Sequence, residues 1–257
     1  MKAKEEKRGK ENAEMVKVYT GKQRLLTSHC DMRGAWKPSA ILETMQDVAG
    51  EHSNLLGVGH DAVHAQGISW VVTRYELVMA RYPHFGDTVL TETYPTSARH
   101  GFYTRTYVFR SAAGMEYGYA SSLWTLLDLE KRSMIHQPIF ADRMPDNRDL
   151  DPRLLMPGAA AELSAPAETA VFQPRYTDID DTLHVNNAKY VDWCCNAMGI
   201  SAMQGHELAL LRVNYQKEIR PGDEVRTELR RDEKCFSYRG FKGEDPYFAI
   251  AGELRPR

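Results

Sequence analysis

The densest polar group in the chain lies between residues 176 and 193 and contains the side chains that acid–base chemistry requires. Asp178, Asp180, Thr182 and His184 occur there at alternate positions. Alternate residues of an extended segment point to the same side, so these four are expected to share one face. A carboxylate, a hydroxyl and an imidazole that converge could deprotonate a water molecule or stabilise a tetrahedral intermediate.

A helix is expected directly after this group, from about Asn187 to Met198. Asn186 or Asn187 is a suitable N-cap, because its side-chain oxygen can accept a hydrogen bond from an unpaired amide of the first turn. Free amides of residues 187–190 could also hold a developing oxyanion. The same pattern admits a simpler interpretation, in which the Asp and Asn side chains serve turns and caps and His184 is structural.

Glu218 is the second candidate, near the end of a predicted strand over residues 208–219. On its own, a glutamate at a strand end is more often a surface charge. A metal site formed by Asp180, His184 and Asp192 is a weaker alternative, because no second histidine and no closely spaced ligand set is present. We therefore predict neither a metal nor another cofactor. The motifs of serine hydrolases and of phosphate-binding loops are also absent from the sequence.

The composition limits the class of protein. The chain has 257 residues, of which 42% are hydrophobic and 26% charged, as in globular proteins with a substantial core. A net charge of −2 and the lack of basic clusters interleaved with aromatic residues argue against a nucleic-acid partner. No apolar run approaches the ~20 residues of a membrane span and the start of the chain lacks a secretory signal, so a cytoplasmic location with reduced cysteines is expected.

The chain is expected to contain one structural unit twice. Gly86-Asp87-Thr88-Val89 is echoed by Gly222-Asp223-Glu224-Val225, and each is followed one position later by Thr-Glu. A helix over residues 39–56 precedes several strands in the first half, as the helix near residue 187 does in the second. The predicted strands are 68–79, 88–94, 102–109, 117–127, 208–219, 224–231, 235–241 and 247–254.

This repeat sets the domain organisation and the fold class. We divide the chain into a charged, disordered tail (1–15), two domains (16–140 and 168–257) and a proline-bearing linker (141–167). A lone helix on an antiparallel sheet is an open α+β layer, which two copies can close by pairing their sheets edge to edge. Alignment of the halves places Ala35 opposite His184 and Tyr82 opposite Glu218. Only the second half therefore keeps the polar set.

From about Tyr19 to Leu254 the chain resembles the acyl-acyl carrier protein thioesterases of plants and bacteria. Its most specific part is Asp178-Ile-Asp180-Asp-Thr-Leu-His184-Val-Asn-Asn, which is similar to the family's Asp-x-Asn-x-His-Val-Asn-Asn stretch. The run Gly50-Glu-His-Ser and the two Gly-Asp-x-Val elements also look like the family. This resemblance implies an α+β fold of two fused hotdog domains, each with a long helix packed on an antiparallel sheet.

The resemblance also implies roles for individual residues. Asp180 and His184 fall on the family's catalytic aspartate and histidine, and Glu218 falls on the glutamate of its Tyr-x-x-Glu element. Thr182 stands where the family usually has asparagine and is the fourth catalytic candidate, with a shorter side chain and a single donor. Ile219 stands where some plant members carry a cysteine, which excludes a thiol nucleophile at that position.

The implied activity is hydrolysis of fatty acyl-acyl carrier protein (acyl-ACP), which releases free fatty acid and ends chain elongation. His184 and Glu218 would activate the attack, with Asp180 as the base for water or as the direct nucleophile. The candidates for the acyl channel, for which a core role is also open, are Ile41, Met45 and Trp70. The expected partner is the acidic acyl carrier protein, for which Lys189 and Arg175 are candidate contacts. A homodimer is left open.

Three other functions are compatible with the same pattern. An acyl-CoA thioesterase of the same fold would differ in a nucleotide-binding groove. A hydratase of the same fold would place its Asp and His against the alpha and beta carbons of an enoyl thioester. A non-catalytic sensor would keep the acyl pocket and lose catalysis, which the departure at Thr182 keeps open.

Overall fold

The structure is a computed structural model that describes residues 15–96, 98–150, 152–154 and 156–257. The tail predicted over residues 1–15 therefore lies, apart from Met15, outside the described residues. The elements of the first half are β1 (Tyr19–Arg24), α1 (Pro38–Leu55), α2 (His60–His64), β2 (Ile68–Met79), β3 (Thr88–Pro95), β4 (Phe102–Ser111), β5 (Glu116–Asp128) and β6 (Ser133–Ile135). Those of the second half are β7 (Glu168–Phe172), α3 (Lys189–Met198), α4 (Ile200–Gly205), β8 (His206–Tyr215), β9 (Val225–Arg231), β10 (Cys235–Lys242) and β11 (Asp245–Pro256).

The long helix α1 begins and ends where its sequence favours it. Pro38 occupies the first turn, where its missing N–H costs no hydrogen bond. The helix ends at Leu55, two residues before Gly57, whose φ of 70° is readily adopted only by glycine. Its buried apolar residues are Ala40, Ile41, Leu42, Met45, Val48 and Ala49. This face covers the sheet of the first half.

The strands of the described residues form one antiparallel sheet that runs through both halves. Its order is β1-β3-β4-β5-β2-β8-β11-β10-β9-β7, with β6 paired to β5. The halves join where β2 pairs with β8, from Arg74 opposite Asn214 to Val78 opposite Leu210. The edge-to-edge pairing of the two sheets is thus confirmed. One hydrophobic core, with residues from both halves, lies against this sheet.

The strand predicted over residues 208–219 is shorter in the structure. It ends at Tyr215, because the amides of Gln216 and Lys217 both donate to the carbonyl of Tyr247, at 3.0 and 3.1 Å. The chain then leaves the ladder, and Glu218 lies in the following loop. This departure from the sheet frees the glutamate to approach the start of α3.

A buried ion pair lies at the junction of the two halves. Glu76 on β2 stands opposite Arg212 on β8, and the Glu76 side chain is 6% exposed. Arg212 donates to Glu76 Oε1 from Nη2 at 2.8 Å and from Nε at 3.1 Å. The amide of Gly158, in the segment between the halves, donates to Oε2 of the same carboxylate. Glu76 thereby holds three parts of the chain together.

Glu76→Gln is expected to lower the free energy of unfolding by about 1 to 2 kcal/mol, because the carboxylate that loses its charge is buried while its partner Arg212 is partly exposed. Urea unfolding followed by circular dichroism measures this change. The matched control is Asp149→Asn, which removes an exposed ion pair with Lys17 and should cost less than about 0.5 kcal/mol. Equal effects of the two substitutions would contradict the structural role of Glu76.

Candidate active site

The polar group predicted to be an extended segment is a tight turn in the structure. The amide of Asp180 donates to the carbonyl of His184 at 2.9 Å, and the amide of Leu183 donates back to Asp180 at 3.1 Å. Leu183 adopts a φ of 61°, a left-handed conformation that an extended segment excludes. Asp178 lies apart in a short 3-10 turn, where its carboxylate accepts from the amide of Arg175. The prediction of one shared strand face was therefore wrong.

The turn nevertheless brings three of the candidate side chains together. The hydroxyl of Thr182 donates to Asp180 Oδ1 at 2.6 Å, and the amide of Thr182 donates to the same oxygen at 3.0 Å. Thr182 Oγ1 lies 3.4 Å from His184 Nδ1. On the other side of the ring, His184 Nε2 lies 3.0 Å from Glu218 Oε2. Asp180, Thr182, His184 and Glu218 thus form one continuous series of polar contacts.

Glu218 is also flanked by two positive charges. Arg132 Nη2 and Arg220 Nη2 lie 3.1 and 3.2 Å from Glu218 Oε2. Arg132 belongs to the first half, in the turn between β5 and β6, so both halves contribute to the site. The sequence does not indicate Arg132, because no motif marks this turn. Its proximity to Glu218 arises only from the pairing of β2 with β8.

Arg132→Ala is expected to lower the kcat of a reaction at this site by about fivefold, because an ion pair that is half exposed contributes up to about 1 kcal/mol. The substitution removes one of the two cations that orient Glu218. Arg148→Ala, which removes an exposed pair with Asp146, is the control and should leave kcat unchanged. Equal rates for Arg132→Ala and wild type would show that Arg132 is only a surface charge.

The first turn of α3 differs from the prediction of an asparagine N-cap. The N-cap position is held by Ala188, and the helix begins at Lys189. Asn186 still serves this turn, since its Oδ1 accepts from the amide of Ala188 at 3.0 Å and its carbonyl accepts from the amide of Lys189 at 2.9 Å. Two of the four amides predicted to hold an oxyanion, those of Ala188 and Lys189, are therefore already engaged.

Two tyrosines support the site from the core. The hydroxyl of Tyr215 donates to the carbonyl of Asn187 at 2.6 Å and so anchors the start of α3. Tyr190 is 3% exposed and packs edge-on against Tyr215, with ring centroids 5.3 Å apart. Burial raises the pKa of Tyr190 well above its ordinary value, and the carboxylates of Glu218 and Asp180 raise it further. Its phenol stays protonated and is no candidate base.

Comparison with family models decides which family carries this site. Residues 16–139 match the model of the acyl-ACP thioesterase N-terminal domain, and residues 162–241 match that of the acyl-ACP thioesterase C-terminal domain. The chain belongs to the acyl-ACP thioesterase family. The resemblance inferred from the sequence is thus confirmed. The two matched regions cover both halves. The first contains Arg132, and the second contains Asp180, His184 and Glu218.

Individual acyl-ACP thioesterases are similar to this chain at moderate identity. One is the chloroplastic palmitoyl-acyl carrier protein thioesterase of Gossypium hirsutum, 29% identical over 192 residues, which cover 69% of this chain and 46% of the relative. The chain spans about half the length of the curated relatives it matches.

Two solved acyl-ACP thioesterases share the fold. The structure from Bacteroides thetaiotaomicron has a TM-score of 0.82 at 18% identity and covers 93% of this chain and 98% of its own. The 12:0-ACP thioesterase of Umbellularia californica has a TM-score of 0.80 at 20% identity, with 93% and 98% covered. The fold is therefore α+β with two fused hotdog-type units, as predicted.

The first half of the chain contains a second copy of the turn. The amide of Asp31 donates to the carbonyl of Ala35 at 2.8 Å, as Asp180 does to His184. The amide of Arg33 donates to Asp31 Oδ1 at 2.8 Å, as Thr182 does to Asp180. Ala35 therefore lies at the position of the histidine, and this copy lacks an imidazole.

The first-half copy joins the two halves instead. Arg33 Nη1 donates to the carbonyls of Met203 and His206, at 2.7 and 2.6 Å. Tyr82, at the position equivalent to Glu218, donates from its hydroxyl to the carbonyl of Leu208 at 2.9 Å. All three acceptors are backbone carbonyls of the second half. The duplicated turn thus has a structural role here, in contrast to its counterpart at Asp180.

A cavity of about 210 Å³ lies between α1 and the sheet of the first half. It is lined by Gln46, Ala49, Gly50, Ser53, His60, Trp70, Pro95, Tyr103, Thr104, Arg105, Trp124 and Met144. Trp70, one of the three residues predicted for the acyl channel, is in this wall. Ile41 and Met45 are fully buried in the core and do not line it. The α1 residues that line the cavity are Gln46, Ala49, Gly50 and Ser53, which share one face of the helix at positions i, i+3, i+4 and i+7. Ile41 and Met45 lie on another face.

Other candidates from the sequence have different roles. Lys189 Nζ lies 3.2 Å from Glu43 Oε1 and 3.6 Å from Asp192 Oδ2, so it links α1 to α3 instead of offering a free charge. Burial raises the pKa of Cys195 to about 12 and that of Cys194 well above its ordinary value, which keeps both thiols protonated.

Two absences are found in the described part of the chain. Within it, no three His, Cys, Asp or Glu residues are grouped so that they could hold a metal ion. None of its helices is both long enough and apolar enough to cross a bilayer.

Proposed function

We propose that the protein hydrolyses the thioester of fatty acyl-ACP, releases the free fatty acid and so ends chain elongation. The continuous series Asp180–Thr182–His184–Glu218 is the observation that carries this proposal. Membership of the acyl-ACP thioesterase family supports the choice of substrate class. The names of the relatives, which include palmitoyl- and oleoyl-acyl carrier protein thioesterases and a dodecanoyl-[acyl-carrier-protein] hydrolase, support a fatty acyl group.

In the proposed mechanism His184 accepts and returns a proton. Its Nε2–H donates to the carboxylate of Glu218, so Nδ1 carries the lone pair. The Thr182 hydroxyl, 3.4 Å away, donates to Asp180 and leaves this lone pair free. A water molecule near Nδ1 can lose its proton to the ring, directly or by way of Asp180 Oδ2, as it attacks the thioester carbonyl. The imidazolium then donates that proton to the departing thiolate, which leaves as the thiol of the carrier.

Asp180 has two roles that agree with its contacts. Its Oδ1 accepts twice from Thr182, which leaves Oδ2 to orient or deprotonate water. Alternatively, Oδ2 attacks the thioester carbonyl and the carrier leaves as its thiolate; water then hydrolyses the resulting anhydride, and its proton passes through His184 to the thiolate. Single-turnover hydrolysis in ¹⁸O water, followed by mass spectrometry of the protein, separates the two. Only the anhydride route can leave ¹⁸O in the Asp180 carboxylate.

The remaining parts of the proposal concern charge and chain binding. The amides of Asn187 and Tyr190 are the two left from the predicted set that could hold the oxyanion. We assign the acyl chain to the cavity of the first half, with Trp70 in its wall, and no longer to Ile41 or Met45.

The division into domains over residues 16–140 and 168–257 belongs to the same proposal. A cytoplasmic location and a homodimer stay predictions.

The test is a panel of donors that share one acyl chain and differ in their carrier. Acyl-ACP should give a higher kcat/KM than the matched acyl-CoA. A higher value for acyl-CoA would favour the acyl-CoA thioesterase. Addition of water to an enoyl thioester without cleavage of the thioester would identify a hydratase instead.

A further inference from the structure

One wall of the first-half cavity carries a buried arginine with only neutral partners. Arg105 on β4 is 6% exposed and lines the cavity. Its Nη1 lies 3.0 Å from His52 Nδ1 and 3.4 Å from Thr93 Oγ1, and its Nη2 lies 3.3 Å from Ser53 Oγ. No carboxylate among the described residues forms an ion pair with it.

His52 cannot compensate this charge. Its Nε2 lies 2.8 Å from the carbonyl of Val16, so Nε2 carries the hydrogen and Nδ1 accepts from Arg105. This arrangement requires the neutral ring. Burial, together with the charge of Arg105, lowers the pKa of His52 to about 4. The pair therefore holds a single positive charge at neutral pH.

A second donor in the cavity wall has no acceptor within the described ranges. Gln46 lines the cavity from α1, and its Nε2 is buried without a hydrogen-bond partner in the described part of the protein. Most of the remaining wall is apolar or aromatic and includes Trp70 and Trp124. A buried charge without a counter-ion is costly, and buried polar groups are normally paired. The cavity is therefore suited to an aliphatic ligand with an anionic end.

We propose that this cavity binds an aliphatic chain that carries a carboxylate, with the carboxylate paired to Arg105 and within reach of Gln46. The inference rests on the proposed function, because it takes the cavity as the acyl site. The carboxylate has two potential sources. One is the far end of an acyl donor that has a second carboxyl group, and the other is the released fatty acid. Arg105 is then a specificity-determining residue.

Binding to the full-length protein tests the carboxylate directly. Isothermal titration with dodecanoate and with dodecan-1-ol compares chains of equal length that differ in charge. Wild type should bind dodecanoate at least about tenfold more tightly than the alcohol, as expected for charge-assisted hydrogen bonds. Arg105→Gln should remove this difference, and Arg105→Lys should keep part of it. Equal affinity of wild type for both ligands would overturn the proposal.

Two further measurements distinguish a loss of carboxylate binding from a folding defect. Circular dichroism and thermal unfolding establish that Arg105→Gln keeps the native structure. Gln46→Leu offers an independent variant that leaves the arginine intact and should weaken dodecanoate binding by about threefold without weakening the alcohol. A loss of both ligands to the same degree in the folded variants would show that the polar groups only shape the cavity, which contradicts the proposal.

Kinetic measurements distinguish the two sources. If the acyl donor supplies the carboxylate, ω-carboxyacyl-ACP should exceed the matched acyl-ACP in kcat/KM by about tenfold, and Arg105→Gln should abolish the preference. If the product supplies it, dodecanoate should inhibit competitively in wild type and about tenfold more weakly in Arg105→Gln. The absence of both effects would overturn the proposal. Carboxylate binding without hydrolysis of any acyl-ACP would instead refute the proposed function and leave the binding site intact.

Discussion

His184→Ala is expected to lower kcat for acyl-ACP hydrolysis by about 10³-fold, within the range of contributions from general acid–base catalysis. The substitution removes the group that accepts the proton of water and returns it to the thiolate. Its effect on KM should be small, since the acyl chain is assigned to the first-half cavity. Steady-state release of free fatty acid from acyl-ACP gives both constants.

The protein itself provides grounds to expect that this variant folds. Alanine already occupies the equivalent position of the first-half turn, at residue 35, where the same backbone hydrogen bond forms. Circular dichroism and thermal unfolding should therefore match wild type. The control is His64→Ala, an exposed histidine outside the site, which should keep full activity. A folded His184→Ala variant that retains more than about a tenth of the wild-type kcat would refute the role of His184.

Asp180→Asn is expected to lower kcat by about 10²- to 10³-fold, as the loss of either a general base or a nucleophile implies. Asparagine keeps the oxygen that accepts from the amide and hydroxyl of Thr182, so the turn should persist. What the variant loses is the negative charge and the free Oδ2. A structural role in the turn alone would leave kcat almost unchanged. The rate of fatty-acid release therefore separates the two interpretations.

The first half supplies the matched control for this substitution. Asp31→Asn makes the same change in the duplicated turn, where Asp31 accepts from the Arg33 side chain at 2.7 Å. This variant should unfold at a lower denaturant concentration and should keep a kcat within about twofold of wild type, because that turn has a structural role. Comparable losses of kcat in the two variants would contradict the assignment of catalysis to the second half.

The sequence predicted the bounds of several helices and strands well. The strand β2 has the predicted bounds, Ile68–Met79, and α1 differs from its prediction by one residue at each end. These segments carry a clear apolar period or a run of β-branched and aromatic residues, which local chemistry determines. Asp180 and His184 were chosen as candidates by their types, their spacing and the resemblance of their surroundings to a known family, and their catalytic roles stay predictions.

The failures of prediction arose where distant parts of the chain decide the local structure. The turn at Asp180 depends on Leu183 in a left-handed conformation, which glycine marks in a sequence and leucine does not. The end of β8 depends on the carbonyl of Tyr247, more than 30 residues away. In the same way, Arg132 approaches Glu218 only through the pairing of the two sheets. Contacts of this kind have no local signal.

The acyl channel shows a further limit of sequence periodicity. The helical period of α1 identified Ile41 and Met45 as inward-facing, and both are fully buried. Periodicity does not reveal which inward face meets core and which meets a cavity. The cavity face of α1 carries the small residues Ala49 and Gly50, and Trp70 and Trp124 line the cavity from the sheet.

The most direct test of the account measures binding and cleavage of one long-chain acyl-ACP on the same preparations of wild type and His184→Ala. The account predicts that both proteins bind the donor, and that only wild type releases free fatty acid and carrier thiol in equal amounts. A folded wild type that binds acyl-ACP and releases neither product would contradict the account and identify a non-catalytic acyl sensor.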